Sequence, residues 1–156
     1  MNKITNILIV GLGGQGIILA SNIICDVLFR EGFDVKKSEV HGMSQRGGSV
    51  VSHIRYGTCV YSPLIPEGKV DFLIAMNRSE GERNMIYLNK GGTYIHIDEE
   101  YKKSLPHSRT LNIALAGIFF KSIGMSKSNV TKSIRGLVKQ KYIDLNIKAL
   151  TITYEK

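Results

Sequence analysis

Asn6-Ile-Leu-Ile-Val-Gly-Leu-Gly-Gly-Gln-Gly16 joins an uninterrupted apolar run to a cluster of glycines. A strand that carries helices on both faces is apolar throughout rather than alternating, so residues 7–10 predict a buried strand. Three of the glycines are spaced G-x-G-x-x-G, and apolar residues then recur at helical spacing up to Gly32, where a helix is expected to stop. A strand, a glycine turn and a helix bring backbone N–H groups close to a ligand. The candidate site residues in this turn are Gly11, Gly13, Gly14, Gln15 and Gly16.

Length and composition predict one soluble domain, residues 1–156, because a 43% hydrophobic and 22% charged content is ordinary for a globular protein. The N-terminus shows no secretory pattern, and no apolar run reaches the roughly 18 residues of a membrane span. We therefore expect a cytoplasmic protein with no membrane partner. Two separate cysteines, Cys25 and Cys59, and four scattered histidines predict no disulfide framework, no metal site and no iron–sulfur cluster in this chain.

The net charge of +8 comes entirely from the C-terminal third. Residues 1–100 hold 10 Lys+Arg and 11 Asp+Glu, which gives −1, whereas residues 101–156 hold 11 and 2, which gives +9. A solvated face of lysine-rich helices is the simplest interpretation, and an acidic partner or a polyanionic ligand is the alternative. No recognition-helix or aromatic-strand motif accompanies the charge, so we expect no nucleic-acid partner.

A second unusual stretch, Glu39-Val-His-Gly-Met-Ser-Gln-Arg-Gly-Gly-Ser49, follows a predicted strand over residues 34–40. It is too polar and too rich in glycine for a core element. The planar fork of its arginine suits a carboxylate or a phosphate, and the neighbouring glycines could present backbone N–H groups. The stretch therefore predicts an anion-binding loop, with a plain solvent loop as the alternative. The candidate site residues here are Glu39, His41, Gly42, Met43, Ser44, Gln45, Arg46, Gly47 and Gly48.

An independent NAD(P)-binding module is the alternative interpretation of the glycine turn. A dinucleotide-binding fold places an acidic residue roughly 20 residues after the glycines, where it holds the ribose hydroxyls. Glu39 is near that position, but Lys36 and Lys37 are nearer the usual strand end and carry the opposite charge. The nucleotide fingerprint is therefore incomplete, and no catalytic Ser/Tyr/Lys or Cys/His arrangement accompanies it.

The rest of the chain predicts alternating strands and helices. Ser49 to Arg55 and Cys59 to Ser62 flank a turn and predict a β-hairpin, which implies a mixed sheet. Ser79 and Glu82 form a capping box that opens a helix, and Asn77, Arg78 and Glu80 beside it are second-tier site candidates. The other expected elements are strands at 70–76, 93–97 and 151–154, a helix from 79 to about 88, and helices at 111–123, 126–140 and 142–150.

Taken together, Gly11–Gly16 and Ser38–Val50 strongly resemble the gamma subunit, or fused gamma domain, of 2-oxoacid:ferredoxin oxidoreductases. The resemblance is greatest to the indolepyruvate branch of that family, in which this domain is the beta subunit. Val70-Asp71, Glu80 with Arg83, and Asn146–Ala149 also look like the family's pattern. The resemblance covers most of the chain.

The resemblance implies an α/β fold, a three-layer α/β/α sandwich with a mixed, mostly parallel sheet. It also implies a non-autonomous subunit of an enzyme that oxidatively decarboxylates indolepyruvate or a related 2-oxoacid, with coenzyme A as the acceptor. Thiamine diphosphate, [4Fe–4S] clusters and coenzyme A would belong to the complex, and none would be bound by this chain alone. The partners would be a larger thiamine-diphosphate/iron–sulfur subunit and, through the complex, ferredoxin, while a homodimer of the isolated chain stays open.

The same resemblance implies that the glycine turn and the second loop contribute to a site shared with the larger subunit. A role in subunit contact alone is the alternative. No catalytic residue of this chain follows from the resemblance.

Overall fold

A computed structural model describes residues 3–42 and 47–156 of the chain. Its strands are β1 (Thr5–Leu12), β2 (Asp34–His41), β3 (Ser49–Gly57), β4 (Val70–Ala75) and β5 (Leu88–Ile95). Its α-helices are α1 (Ile17–Arg30), α2 (Arg78–Arg83), α3 (Glu99–Ser104), α4 (Leu111–Ser122), α5 (Lys127–Leu137) and α6 (Ile143–Glu155). Short 3₁₀ turns cover Met85–Tyr87, Ser108–Thr110 and Gln140–Tyr142.

The five strands form one mixed sheet in the order β2-β3-β1-β4-β5. β1 is parallel to β4, and β4 is parallel to β5. β3 is antiparallel to both of its neighbours, β1 and β2, so β2 again runs parallel to β1. Four strands therefore share one direction and β3 alone is reversed within the described sheet. This confirms the α/β class with a mixed, mostly parallel sheet.

Alternation along the strands separates two apolar layers. Ile7 and Ile9 of β1 point to the larger core, where α1 and α4 cover the sheet and α5 and α6 pack behind them. Leu8 and Val10 point to the opposite face, into a smaller cluster that includes Ile65. That face is covered by α2, the 3₁₀ turn at 85–87 and the segment 58–69. No helix in the described residues combines the length and apolarity needed to cross a bilayer.

The hairpin predicted between Ser49–Arg55 and Cys59–Ser62 is wrong. β3 continues to Gly57 and pairs with β2 and β1, whereas residues 58–69 form no strand. Side chains hold that segment across the second face instead: the Val60 N–H donates to the Asp34 carboxylate at 2.7 Å, and the Arg55 guanidinium donates to the Ser62 carbonyl at 2.9 Å. The reversed strand in the sheet therefore comes from the β2–β3 connection.

The strand predicted at residues 151–154 is also wrong, because α6 continues through it. The alternating Thr-Ile-Thr-Tyr favours a strand, yet both threonine hydroxyls find partners one helical turn back. The Thr151 hydroxyl donates to the Ile147 carbonyl at 2.9 Å, and the Thr153 hydroxyl donates to the Ala149 carbonyl at 3.1 Å. This turn also packs closely against Gly117 of α4, where a Cβ would lie 3.0 Å from Leu150 and 3.1 Å from Thr153.

The helix after β4 begins differently from the prediction and is shorter. Asn77, not Ser79, is the N-cap of α2: its side-chain oxygen accepts a hydrogen bond from the Glu80 N–H at 3.3 Å. Glu82, the expected second half of the capping box, pairs with Arg78 at 2.8 Å. β5 covers Leu88–Ile95 and so begins five residues before the strand predicted at 93–97; within it, Gly92 packs closely against the Leu88 side chain and the Val70 carbonyl. The connection at 99–109 contains α3.

Candidate functional site

β1 and β4 lie side by side, but their C-terminal connections leave on opposite faces of the sheet. β1 leads into α1 on the larger core, and β4 leads into α2 on the other face. Such a divergence between neighbouring parallel strands opens a crevice at their carboxyl ends, which is where α/β proteins bind ligands. A cavity of about 690 Å³ lies at this point and reaches from Gln15 and Met76 to Leu105.

The glycine turn that closes this crevice depends on close backbone packing. Gly16 caps α1 with a positive φ of 80°, and a Cβ there would collide with the Asn112 side chain, whose amide donates to the Gly16 carbonyl at 3.1 Å. A Cβ on Gly11 would lie 2.8 Å from the Met76 Cβ. The Gln15 side-chain oxygen accepts from the Leu12 N–H at 2.7 Å and so fixes the exit from β1.

The first turn of α1 presents its backbone donors without a side-chain cap and without an acidic residue. These N–H groups and the helix dipole favour an anion. A cavity of about 380 Å³ borders this turn, lined in part by Gly14, Gly16, Ile18 and His41. The glycine turn therefore borders two cavities: the 690 Å³ cavity on the side of β4 and the 380 Å³ cavity on the side of β2.

The second loop meets the glycine turn at the same edge of the sheet. The Gly13 N–H donates to the Gly48 carbonyl at 2.8 Å, and the Gly42 N–H donates to the Ser49 carbonyl at the same distance. β3 is antiparallel to β1, so its first residue, Ser49, lies opposite Leu12 at the end of β1. The reversal of this one strand therefore brings both motifs together. Of the loop's candidate residues, Gly42, Gly47 and Gly48 are described; Met43, Ser44, Gln45 and Arg46 lie outside the described residues.

Glu39 does not face the glycine turn. Its carboxylate lies 2.8 Å from the Lys37 ammonium and 3.4 Å from the Ser21 hydroxyl. The hydrogen bond from Lys37 holds the pKa of Glu39 below its usual value, against the opposing effect of partial burial. β3 separates β2 from β1, which places Glu39 two strand spacings, about 10 Å, from the strand that carries the glycines. His41 lies 3.9 Å from Glu39 and is half exposed.

Glu80 is a buried carboxylate behind the second loop. Its side chain is 3% exposed, accepts a hydrogen bond from the Ser49 hydroxyl at 2.6 Å, and lies 3.2 Å from the Arg83 guanidinium. Ser49 belongs to the second motif, and Glu80 follows β4. Both residues lie in stretches that resemble the family's pattern, and this hydrogen bond joins those stretches. Arg78, by contrast, is an exposed residue paired with Glu82.

Nothing in the sequence indicates that the connection at 99–109 closes the site. Glu99, Lys102 and Leu105 line the 690 Å³ cavity, and Ser108 lines both this cavity and a third one of about 330 Å³ beside Gly14 and Asn112. A single polar residue at the start of an otherwise apolar helix, such as Asn112 in α4, is the one feature of the sequence that points to this end of the site. Charges in the 690 Å³ cavity neutralise one another, since Arg78 pairs with Glu82 at 2.8 Å and Lys102 with Glu99 at 2.5 Å.

The chain is similar to known proteins over most of its length. The model of the family described as pyruvate ferredoxin/flavodoxin oxidoreductase matches residues 6–109. The indolepyruvate oxidoreductase subunit IorB of Archaeoglobus fulgidus is 35% identical over 97% of this chain and 94% of its own. The IorB subunit of Thermococcus kodakarensis is 32% identical over 94% and 93%.

Solved structures share the fold. The gamma subunit of a keto/oxoacid ferredoxin oxidoreductase from Geobacter sulfurreducens superposes with a TM-score of 0.75 at 24% identity, covering 97% of this chain and 96% of that one. A 2-oxoglutarate:ferredoxin oxidoreductase from Magnetococcus marinus, solved with 2-oxoglutarate, coenzyme A and succinyl-CoA bound, gives a TM-score of 0.82 at 18% identity. There the match covers 99% of this chain and 31% of that chain, so the same fold recurs as part of a longer polypeptide.

Proposed function

Since this chain belongs to the pyruvate ferredoxin/flavodoxin oxidoreductase family and is a subunit of such an oxidoreductase, we propose that it completes an enzyme that oxidatively decarboxylates indolepyruvate or a related 2-oxoacid. The whole chain acts as one gamma-type domain in the cytoplasm, and the complex passes electrons to ferredoxin. The observation that carries the proposal is the hydrogen bond from Gly13 to Gly48, because it joins both sequence motifs at one edge of the sheet.

The two joined loops contribute backbone donors to a site shared with a larger subunit. The uncapped first turn of α1 and the glycine-rich backbone suit a carboxylate or a phosphate, and a planar guanidinium such as that of Arg46 suits the same groups. In this role the chain orients and neutralises an anion but moves no proton, so it has no activity without its partner.

The cofactors of the complex belong to the larger subunit. A [4Fe–4S] cluster is held by four thiolates, whereas this chain has two cysteines, and burial raises the pKa of the Cys25 thiol to about 11. The residues of this chain therefore do not fit a cluster. Thiamine diphosphate supplies the stabilised carbanion for decarboxylation when it is bound, and coenzyme A is the acceptor of the acyl group.

An independent NAD(P)-binding module accounts less well for the geometry. Glu39, the residue that would hold ribose hydroxyls, is bonded to Lys37 and separated from the glycine strand by β3. Titration of the purified chain with NADH, followed by nucleotide fluorescence, distinguishes the two functions. Tight saturable binding would favour the nucleotide module and contradict our proposal.

Purification of the tagged chain from its native cells tests the proposal directly. We expect a larger subunit in the eluate, together with iron and thiamine diphosphate. The complex should reduce a viologen dye in the presence of indolepyruvate, pyruvate or 2-oxoglutarate, and comparison of these three identifies the substrate. Assays with and without coenzyme A identify the acceptor. Recovery of the chain alone, or as a homodimer without iron, would contradict the proposal.

A further inference from the structure

A separate cavity of about 490 Å³ lies among the helices of the C-terminal third. It is bounded by the 3₁₀ turn at 108–110, the end of α5 and the beginning of α6. This volume is in the range of small-molecule sites in proteins. The lining residues are Leu19, His107, Arg109, Thr110, Leu137, Val138, Lys139, Tyr142, Leu145 and Asn146.

The charges around this cavity have one sign. Arg109 and Lys139 line it, and no aspartate or glutamate does. Neither cation forms an ion pair with a carboxylate in residues 3–42 or 47–156. This differs from the 690 Å³ cavity, where two carboxylates neutralise two cations. Unpaired cations at the mouth of a cavity favour an anionic ligand.

The wall of the cavity is mostly apolar. Leu137 and Tyr142 keep 43% and 41% of their surface exposed there, although buried Val138 lies between them. Hydrogen bonds hold the backbone turns that border the cavity: the Asn146 side chain donates to the Tyr142 carbonyl at 2.8 Å, and the His107 ring nitrogen accepts from the Arg109 N–H at 3.0 Å. A ligand would therefore meet a preformed apolar wall rather than have to order it.

We propose that this cavity binds a small aromatic or branched-chain carboxylate. The apolar body of such a molecule would cover Leu137, Tyr142 and Leu145, and its carboxylate would lie between Arg109 and Lys139. A simple phosphate lacks the apolar body, and a neutral hydrocarbon leaves both cations without a partner. The inference is independent of the proposed function, because it rests on residues outside the two glycine loops.

The position of the cavity connects it to the glycine turn. Leu19 and Arg109 line both this cavity and the 330 Å³ cavity beside Gly14. A carboxylate bound by Arg109 therefore occupies space next to the turn without displacing it.

Indole-3-acetate is a suitable probe because the chain contains no tryptophan, so indole fluorescence reports the ligand alone. We expect saturable binding to the chain, and much weaker binding of tryptamine, which has the same ring but a positive charge. Arg109→Gln and Lys139→Gln should each weaken binding about tenfold, as expected for the loss of one charged partner. Arg135→Gln removes an exposed cation that does not line the cavity, and it should leave binding unchanged.

Several outcomes would overturn the inference. Absence of saturation in the millimolar range would do so, as would an equal loss of affinity in Arg135→Gln, which indicates unspecific ion exchange. Backbone NMR locates the probe: shifts at Leu137, Tyr142 and Leu145 support the site, and shifts confined to residues 13–18 contradict it. If the isolated chain binds the probe but the purified complex does not, a partner chain covers the cavity, and this result too would overturn the inference.

Discussion

The Ser49 hydroxyl donates a hydrogen bond to the Glu80 carboxylate across 2.6 Å, linking the start of β3 to α2. The bond spans 31 positions of sequence and fastens the end of the second loop to the helix that follows β4. Glu80 is nearly inaccessible to water, and its carboxylate contacts both this hydroxyl and the Arg83 guanidinium. The contact therefore fixes two of the segments that border the carboxyl edge of the sheet.

Replacement of Ser49 tests this contact. Ser49→Ala leaves a buried carboxylate with one donor fewer, so we expect the free energy of unfolding to fall by about 1–3 kcal/mol. Glu82→Gln is the control, because it removes one partner of an exposed pair and should cost less than about 1 kcal/mol. Urea unfolding measures both. Equal losses in the two variants would show that the buried bond has no special role.

Substitution of Gly14 and of Gly16 distinguishes the cost of a strained backbone angle from the cost of a steric clash, because the two glycines have similar backbone angles. Gly14 and Gly16 have φ values of 91° and 80°, but a Cβ on Gly14 meets nothing within 4 Å, whereas one on Gly16 meets Asn112. Gly14→Ala should cost about 1–2 kcal/mol, the usual cost of the left-handed conformation. Gly16→Ala should cost clearly more by thermal unfolding, and Gly16→Ala/Asn112→Ala should recover part of the difference. Equal single-variant stabilities would contradict the collision.

Substitutions at Gly11 and Gly13 should affect different properties: the first the stability of the chain, the second the assembly or activity of the complex. A Cβ on Gly11 approaches Met76 to 2.8 Å, so Gly11→Ala should destabilise the chain by about 1–3 kcal/mol through overpacking. A Cβ on Gly13 lies 3.5 Å from its nearest neighbour, the Gly47 nitrogen, which is ordinary contact. Gly13→Ala should therefore fold normally.

The readout for Gly13→Ala is the complex rather than the isolated chain. If the joined loops form part of a shared site, this variant should lower dye reduction by the complex or weaken recovery of the larger subunit. Unchanged stability together with unchanged activity and recovery would count against a role for the loop junction.

His53 gives the fold a dependence on pH. Its Nδ1 accepts a hydrogen bond from the Ile65 N–H at 3.3 Å, and burial lowers the pKa of the imidazole below its ordinary 6.5. The unfolded chain therefore takes up the proton first, and stability is lost as pH falls below about 6.5 until the folded imidazole also titrates. His53→Gln keeps an acceptor without a titratable group. Urea unfolding at mildly acidic pH should show a smaller loss for this variant than for the unsubstituted chain, and parallel losses would contradict the assignment.

The sequence predicted the elements whose local pattern and tertiary surroundings agree. The apolar run at 7–10 forms the centre of β1, and the pattern after Gly16 forms α1, because the same residues that repeat at helical spacing face the core. It also predicted that Gly42, Gly47 and Gly48 belong with the glycine turn, but only through the resemblance of the two stretches. Nothing local indicates that β3 reverses and returns the loop to Gly13.

The errors occurred where long-range contacts override local preference. Residues 151–154 alternate as a strand does, yet the Tyr101 hydroxyl, 3.1 Å from that of Thr153, and the packing against α4 hold them in α6. Glu39 stands at the spacing of a ribose-binding acid, but strand order, which spacing does not encode, places it beside Lys37. Arg109 lies in a stretch whose sequence predicts only a connection, but in the folded chain it lines two cavities, of about 490 Å³ and 330 Å³.

The reversal of β3 also predicts which amide protons exchange first. A parallel β2–β3 pair would have needed a long crossover, usually helical, whereas the reversed strand returns through residues 42–48. The second face of the sheet consequently has thin cover, and the segment 58–69 is held there by side-chain bonds such as those of Val60 and Ile65. Segments with few buried contacts open locally at low free energy. We therefore expect the Val60 and Ile65 amides to exchange through local opening of that segment, and the amides of β1 and α4 to exchange only when the whole domain unfolds.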